Sequence, residues 1–483
     1  MQGFMLDSAR CLESRAYYRR FIRFIAERGA DTLLWHFSDD QGCSLRFDSL
    51  PQAASPNAYT KSEMRELIQF AKDHGIQLIP ELASLGHTRY ITQVPEYADL
   101  SESNGKFSTI CPVDPRTQQL MARLLDEVIE TFDSPLVHIG ADEVSMGQHP
   151  LTQAALQSRT TGDLFAEHVN RLHRQLSAAG RRTMMWADQL IADPTIIQHL
   201  PRDILMCNWQ YHPGVCPSST RQLIDAGFEV VQCPALISHN QTVHPGESFA
   251  QPNLRSMATH RDLGPQVVGW ITTVWMSMRY LPETLWPAVH FALEVMKHGD
   301  QVDPVASLAE FARSFHGMEP SDEWLAAMRS VEQLAPHRNA WSPVSRLLDN
   351  LEAEPAELEE MADQFARIDD ALRVARPQVK SNLESFDRLL LLVDVLEHAW
   401  RRAAAWRAGT LSQDMLDQSE QLLDRLSQAW DADHFRDDPR KDAYPQFYDN
   451  ADHLLLAMRE GTNVLREAIR PAGAAYASGV AGK

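Results

Sequence analysis

The segment Leu136-Val137-His138-Ile139-Gly140-Ala141-Asp142-Glu143 decides how the chain is read. Its apolar residues run almost unbroken, as in a strand buried on both faces of a parallel sheet, and two acids follow at once. Helical stretches flank it at 115–132 and 162–180. The same alternation extends outward in both directions. Short apolar runs fall at 3–7, 32–37, 76–81, 136–141, 183–187, 204–209, 229–235 and 267–275. Between them lie amphipathic stretches such as 14–29, 61–75, 218–227 and 285–299. Several close on glycine (Gly29, Gly75, Gly180, Gly227, Gly299), which takes the left-handed conformation after a last helical turn without steric cost. Eight strand–helix units over about 300 residues are the count of an α/β (β/α)8 TIM barrel. A doubly wound open sheet competes, but the Gly-rich turn it needs after its first strand does not follow Asp7.

From 302 onward the strand-like runs stop. Long helical stretches follow at 323–334, 351–374, 381–407 and 412–430, one with a wide apolar stripe through Leu389, Leu390, Leu391, Leu392, Val393 and Leu396. The expected organisation is a barrel over 1–301, an α-helical C-terminal domain over 302–470 and a flexible tail over 471–483. The helical part is expected to pack on the barrel or on a second copy, so a homo-oligomer is compatible with the sequence.

Composition narrows the function classes. Across 483 residues, 45 Lys and Arg face 65 Asp and Glu, a net charge of −20. Such a surface repels phosphate backbones and anionic lipid, which argues against nucleic-acid and membrane partners. No run of about 18 apolar residues is present to span a bilayer. The six cysteines (Cys11, Cys43, Cys111, Cys207, Cys216, Cys233) are scattered without a C-x-x-C pair, so no zinc or redox motif is written. Unclustered thiols fit a reducing compartment, and the start lacks the basic and apolar regions of a secretory signal. The expected location is cytoplasmic, with no cofactor and no metal.

In a TIM barrel the polar groups at the carboxyl ends of strands face the site. Here that rule selects Arg10 beyond Asp7, Asp39 beyond His36, His87 beyond Glu81, and Asp142 with Glu143 beyond His138. Trp186, Trp209 and Trp275 close three further strands. Indole faces stack on sugar C–H faces while carboxylates and a guanidinium take hydroxyls, so the mixture favours a neutral carbohydrate. Glycosidic cleavage needs a proton donor to the leaving oxygen and a negative group near the developing oxocarbenium ion. Asp142 and Glu143 are the candidate pair. Adjacent strand residues point to opposite faces, so both reach the site only past the strand end, where small Gly140 and Ala141 permit a bend. His36 and His138 fit a core or a site equally, and Asp7 reads as structural.

These blocks resemble family 20 glycoside hydrolases, the β-N-acetylhexosaminidases. The matching residues are Leu6-Asp7-Ser8-Ala9-Arg10, Trp35-His36-Phe37-Ser38-Asp39-Asp40-Gln41, Pro80-Glu81 with Gly86-His87, His138-Ile139-Gly140-Ala141-Asp142-Glu143, and the three strand-end tryptophans. The resemblance implies a retaining glycosidase in which the substrate's 2-acetamido oxygen attacks the anomeric carbon and forms an oxazolinium intermediate. It implies Glu143 as general acid and base, Asp142 as partner of the acetamido N–H, and Asp39 with His87 as a polar pair behind Glu143. Arg10 would hold ring hydroxyls, and Trp186, Trp209 and Trp275 would enclose the sugar, with His138 a further candidate on the substrate side. Three positions depart from the family. Its tyrosine near the end of strand 7 is missing, leaving His239, Asn240 or Tyr211 to replace it. Ser277 stands where a glutamate is common, and Ala141 stands for a glycine.

Two other readings use the same rim. A metal-dependent barrel hydrolase would use His36, Asp39, His87, His138 and Asp142, but the His-x-His of such enzymes is missing from strand 1. A non-catalytic sugar-binding protein would keep the pocket and lose turnover.

Overall fold

The computed structural model describes residues 1–102, 108–237, 246–275, 277–334, 354–434 and 453–469. Eight parallel strands close on themselves: β1 Gln2–Asp7, β2 Thr32–His36, β3 Gln77–Glu81, β4 Leu136–His138, β5 Arg182–Trp186, β6 Leu205–Trp209, β7 Val230–Cys233 and β8 Val267–Val274. Closure runs from Gln2↔Trp270 to Leu6↔Val274, so β8 pairs with β1. The fold is a TIM barrel, as the alternation of runs requires.

Two strands differ instructively from the expected spans. β4 stops at His138, not at residue 141, because Gly140 and Ala141 turn left-handed, with φ of 63° and 70°. β7 breaks at Pro234, which has no N–H for a ladder, and resumes as Ala235–Ile237.

Inside the barrel lie Met5, Leu34, Ile79, Met184, Leu205, Cys207, Val231, Cys233 and Ile271. The larger apolar layer lies between strands and helices. The helix Arg15–Glu27 contributes Tyr17, Tyr18, Phe21, Ile22, Phe24 and Ile25, its start fixed by Ser14 Oγ accepting the Tyr17 N–H. Lys61–Asp73 begins with a reciprocal Thr60–Glu63 capping box.

That outer layer continues without a break into the helices after the barrel: Pro304–Phe311, Asp322–Leu334, Pro355–Ala375, Leu383–Ala408, Gln413–Asp433 and Leu454–Ile469. Trp286 packs 4.7 Å from Phe24 and 5.8 Å from Phe315, and the Leu389–Val393 stripe is buried. The end of Gln413–Asp433 also reaches the barrel rim. Asp433 O accepts the Ser14 N–H at 2.7 Å, and Glu13 pairs with His434 in an antiparallel bridge, beside the loop that carries Arg10. The expected tail, 471–483, lies outside the described residues. Among the described residues no helix is long and apolar enough to cross a membrane.

Candidate active site

The loop after β1 is curled by Asp7. Its Oδ1 accepts the Arg10 backbone N–H at 3.1 Å and its Oδ2 pairs with Arg10 Nη1 at 2.8 Å. The same guanidinium gives Nη2 to Asp39 Oδ2 at 2.9 Å and lies 5.2 Å from the Trp275 ring centre. Asp39 reaches it because Ser38–Asp39 doubles back in a short antiparallel ribbon with Gly42–Cys43. Burial alone would weaken the charge of Arg10, but Asp39 and Asp7 outweigh it and hold the group above its ordinary value.

A carboxylate–imidazole chain runs from the barrel interior to the rim. His36 Nδ1 lies 3.0 Å from Glu81 Oε2 and its Nε2 lies 2.9 Å from Asp39 Oδ2. Carboxylates at both ring nitrogens demand a proton on each. Burial opposes this charge, yet Glu81 and Asp39 outweigh it and push His36 up to about 10. His87 comes next, with Nδ1 3.6 Å from Asp39 Oδ2 and Nε2 3.1 Å from Glu143 Oε2 and 3.5 Å from Asp142 Oδ2. Burial opposes the charge on His87, while Asp39 and Asp142 raise its pKa well above the usual imidazole range. The reciprocal effect holds Asp39 and Asp142 below the usual carboxylate range despite burial: Arg10 and His87 act on Asp39, and His87 acts on Asp142.

Two groups, Asp39 with Asp40 and His87, and His87 with Asp142 and Glu143, bring donor atoms within 4.8 Å of one another. These donors already have protein partners. Asp39 carries Arg10 and His36, and the two Asp40 oxygens accept the N–H groups of Arg89 and Ser108 at 3.1 Å each. A divalent cation here would have to displace a charged arginine or imidazolium, so the donor set does not fit a resident metal.

The acid pair sits beyond β4 in a strained turn. Ala141 (φ 70°) and Glu143 (φ 49°) join Gly140 in the left-handed region, and His87 opposite has φ 55°. Non-glycine residues are held there only where neighbours over-determine the backbone. Gly86 is packed so closely that a Cβ would stand 2.1 Å from the Asp142 carbonyl oxygen. Asp188 Oδ2 accepts the Glu143 N–H at 3.0 Å. Just beyond, Glu102 Oε2 accepts three successive N–H groups, from Gly147 at 2.9 Å and from Gln148 and His149 at 3.1 Å. Side-chain exposure is 16% for Asp142 and 36% for Glu143, so both remain open to a ligand.

The indoles divide between floor and wall. Trp186 is only 1% exposed, donates Nε1–H to Glu81 Oε1 at 2.7 Å and forms the floor. Trp209 and Trp275 are half-buried. The Trp275 ring centre lies 6.2 Å from that of Trp186, and Trp209 lies 5.0 Å from Tyr211. Tyr211 Oη accepts from Trp275 Nε1 at 2.9 Å and from Thr273 Oγ1 at 3.2 Å, which places it in the wall. His138 is fully buried, 4.6 Å from Trp186, with Nδ1 accepting the Gly140 N–H at 3.0 Å; it supports the bend rather than the pocket surface. Asn240, His239 and the side chain of Ser277 lie outside the described residues.

Glu81, Asp188 and Glu102 belong to this architecture but were not selected as site residues from sequence. Asp188 lies two residues beyond Trp186, and the strand-end rule would have reached it had the rule been extended past the tryptophan. Glu102 sits in a long loop without periodic signal.

Fold and site define a TIM-barrel protein whose rim opens a charged carboxylate–imidazole chain onto indole walls. The catalytic-domain model of glycosyl hydrolase family 20 matches residues 1–263, more than half the chain, and the chain belongs to that family. A β-hexosaminidase of Vibrio furnissii is 27% identical over 275 residues, which cover 49% of this chain and 43% of the relative. The β-hexosaminidase subunit beta of Felis catus is 24% identical over 249 residues, 48% of this chain and 46% of the relative. The chain therefore spans less than half the length of these relatives. In fold it is similar to the GH20 exo-β-N-acetylglucosaminidase of Vibrio harveyi solved with N-acetylglucosamine. There the TM-score is 0.53 and identity 24%, over 64% of this chain and 56% of that one. The chitobiase of Flavobacterium johnsoniae gives a TM-score of 0.54 at 17% identity, over 96% of this chain and 77% of that one.

Proposed function

We propose that this chain is a retaining glycoside hydrolase that removes terminal β-linked N-acetylhexosamine, GlcNAc or GalNAc, by substrate-assisted catalysis. The supporting observation is that Asp142 and Glu143, adjacent in sequence, both present a carboxylate oxygen to the same His87 Nε2, at 3.5 and 3.1 Å, at an open rim beside indoles. Glu143 protonates the glycosidic oxygen as the substrate's acetamido oxygen attacks the anomeric carbon, and the leaving alcohol departs. The oxazolinium ion that results is opened by water, which gives its proton to Glu143, so configuration is retained. Asp142, kept ionised by His87, accepts the acetamido N–H and offsets the positive charge that develops there.

Arg10, held by Asp7 and Asp39, takes ring hydroxyls, and Trp275 and Trp209 stack on the sugar over the Trp186 floor. Tyr211 takes the role of the family's missing tyrosine. Trp275 donates to its oxygen, so the phenolic proton is available for the acetamido oxygen.

An aryl-glycoside panel tests the reading. Compounds with a 2-acetamido group should be cleaved and their 2-hydroxy counterparts much more slowly, Glu143→Gln should abolish cleavage where the leaving group needs a proton, and an N-acetylglucosamine-thiazoline should inhibit. A Glu143→Gln protein that still cleaves such proton-requiring substrates refutes the roles. Calorimetric glycan binding without turnover across the panel points instead to a sugar-binding protein.

A further inference from the structure

Asp188 has no part in the chemistry above, yet it contacts the acid more directly than any other carboxylate beyond β5. It opens the short helix Asp188–Ala192, two residues past Trp186. Its Oδ2 accepts the Glu143 backbone N–H at 3.0 Å and the Gln189 amide at 3.1 Å. Its Oδ1 is buried and meets no hydrogen-bond partner among the described residues. Burial and the nearby Asp142 push this carboxyl up to about 6, the mark of a group kept where it is costly to keep. Meanwhile Glu143 holds a φ of 49°, which an L-residue adopts only under constraint. The hydrogen bond from Asp188, just past β5, supplies that constraint from outside the acid's own loop.

We infer that Asp188 is a positioning residue for Glu143: its carboxylate pins the peptide of residue 143 in the left-handed turn and so aims the acid side chain at the leaving oxygen. This rests on the acid role proposed for Glu143. The chemistry gives a specific signature. A misaimed acid slows departure of leaving groups that need a proton and spares those that do not.

The test measures kcat/KM, which reports the steps through aglycone departure and leaves out the later water attack, for two aryl N-acetyl-β-glucosaminides, one with a 2,4-dinitrophenyl and one with a 4-methylphenyl leaving group. Asp188→Ala should lose on the order of 10²-fold with the 4-methylphenyl substrate. With the dinitrophenyl substrate it should stay near wild type. Asp188→Asn keeps an acceptor for the N–H and should recover most of the loss, to within about 5-fold, the worth of exchanging a charge-assisted bond for a neutral one. If Asp188→Ala does not fold by circular dichroism, Asp188→Ser, too short to reach the N–H, replaces it. Equal losses with both substrates, or no loss with either, overturn the inference. Glu143→Gln measured alongside separates the two claims. If it shows the leaving-group signature and Asp188→Ala does not, Asp188 alone is wrong; if Glu143→Gln lacks it, the acid assignment falls and the inference with it.

Discussion

Gly86→Ala should disable the site while leaving the barrel folded. An added Cβ would stand 2.1 Å from the Asp142 carbonyl oxygen and 3.3 Å from its carbon, whereas real Cβ contacts essentially never fall under 3.0 Å. The gap must therefore open by about 0.9 Å, the difference between 3.0 and 2.1 Å. The obstacle is backbone, so no rotamer relieves it. Nor can the displaced peptide move alone: Glu143 follows it directly, tied to Asp188 at 3.0 Å, and His87 is the next residue on the Gly86 side. The shift is carried into the contacts between His87 and both carboxylates. A misplacement of about 1 Å in a catalytic constellation costs about 10²-fold, or roughly 2.7 kcal/mol of barrier. Overpacking of this kind costs about 1–3 kcal/mol of stability, which a domain of this size can survive. The assay is kcat/KM on 4-nitrophenyl N-acetyl-β-glucosaminide, with a thermal melt as the folding check. Gly214→Ala, where an added Cβ meets nothing within 4 Å, is the control and should match wild type. If a folded Gly86→Ala protein keeps more than about a third of wild-type kcat/KM, the coupling of this packing to the acid pair is wrong.

Tyr211→Phe removes one hydroxyl from the wall, and should slow 2-acetamido substrates by about 10-fold or more, because the attacking acetamido oxygen loses the hydrogen bond that orients it. An unchanged rate would show that another group takes the acetamido oxygen. Stability should peak near neutral pH for two reasons of opposite sign. His36 is raised from 6.5 to about 10, so its contribution is complete below about 6.5 and is lost as pH climbs towards 10. His290 and His398 are lowered to about 4 and about 3, by burial first and then by nearby cations, Arg28 and Lys297 for the one and Arg402 for the other. The unfolded chain therefore takes up protons that the folded one refuses, and stability falls as pH drops from about 6.5 towards 4. Melts across pH should give a flatter alkaline limb for His36→Gln and a flatter acid limb for His290→Leu; unaltered limbs would refute these assignments.

The strand-end rule works from a residue's neighbours in the chain. Arg10, Asp39, His87, Asp142 and Glu143 each follow a buried apolar run, and the structure joins all five through His87 and Asp39. The rule could not separate His36 from His138, because both lie inside strands. One turns out to be clamped between two carboxylates, and the other props a backbone turn beneath Trp186. It stops short of Asp188 and gives no signal for Glu102, each of which works on an N–H 45 residues away along the chain.

The run of apolar segments, their glycine stops and the acids that follow them determine a barrel and which residues reach its rim. That information is periodic and local, requiring only the alternation of strand and helix. Which of those residues carry protons, which hold a backbone and which face open space was decided by how the strands pair side by side. Charge states depend on distances of about 3 Å between groups on different strands. Pairing of neighbouring strands brings His36 to Glu81, His87 to Glu143 and Asp188 to the peptide that aims the acid, and β8 returning to β1 brings Trp275 to Arg10.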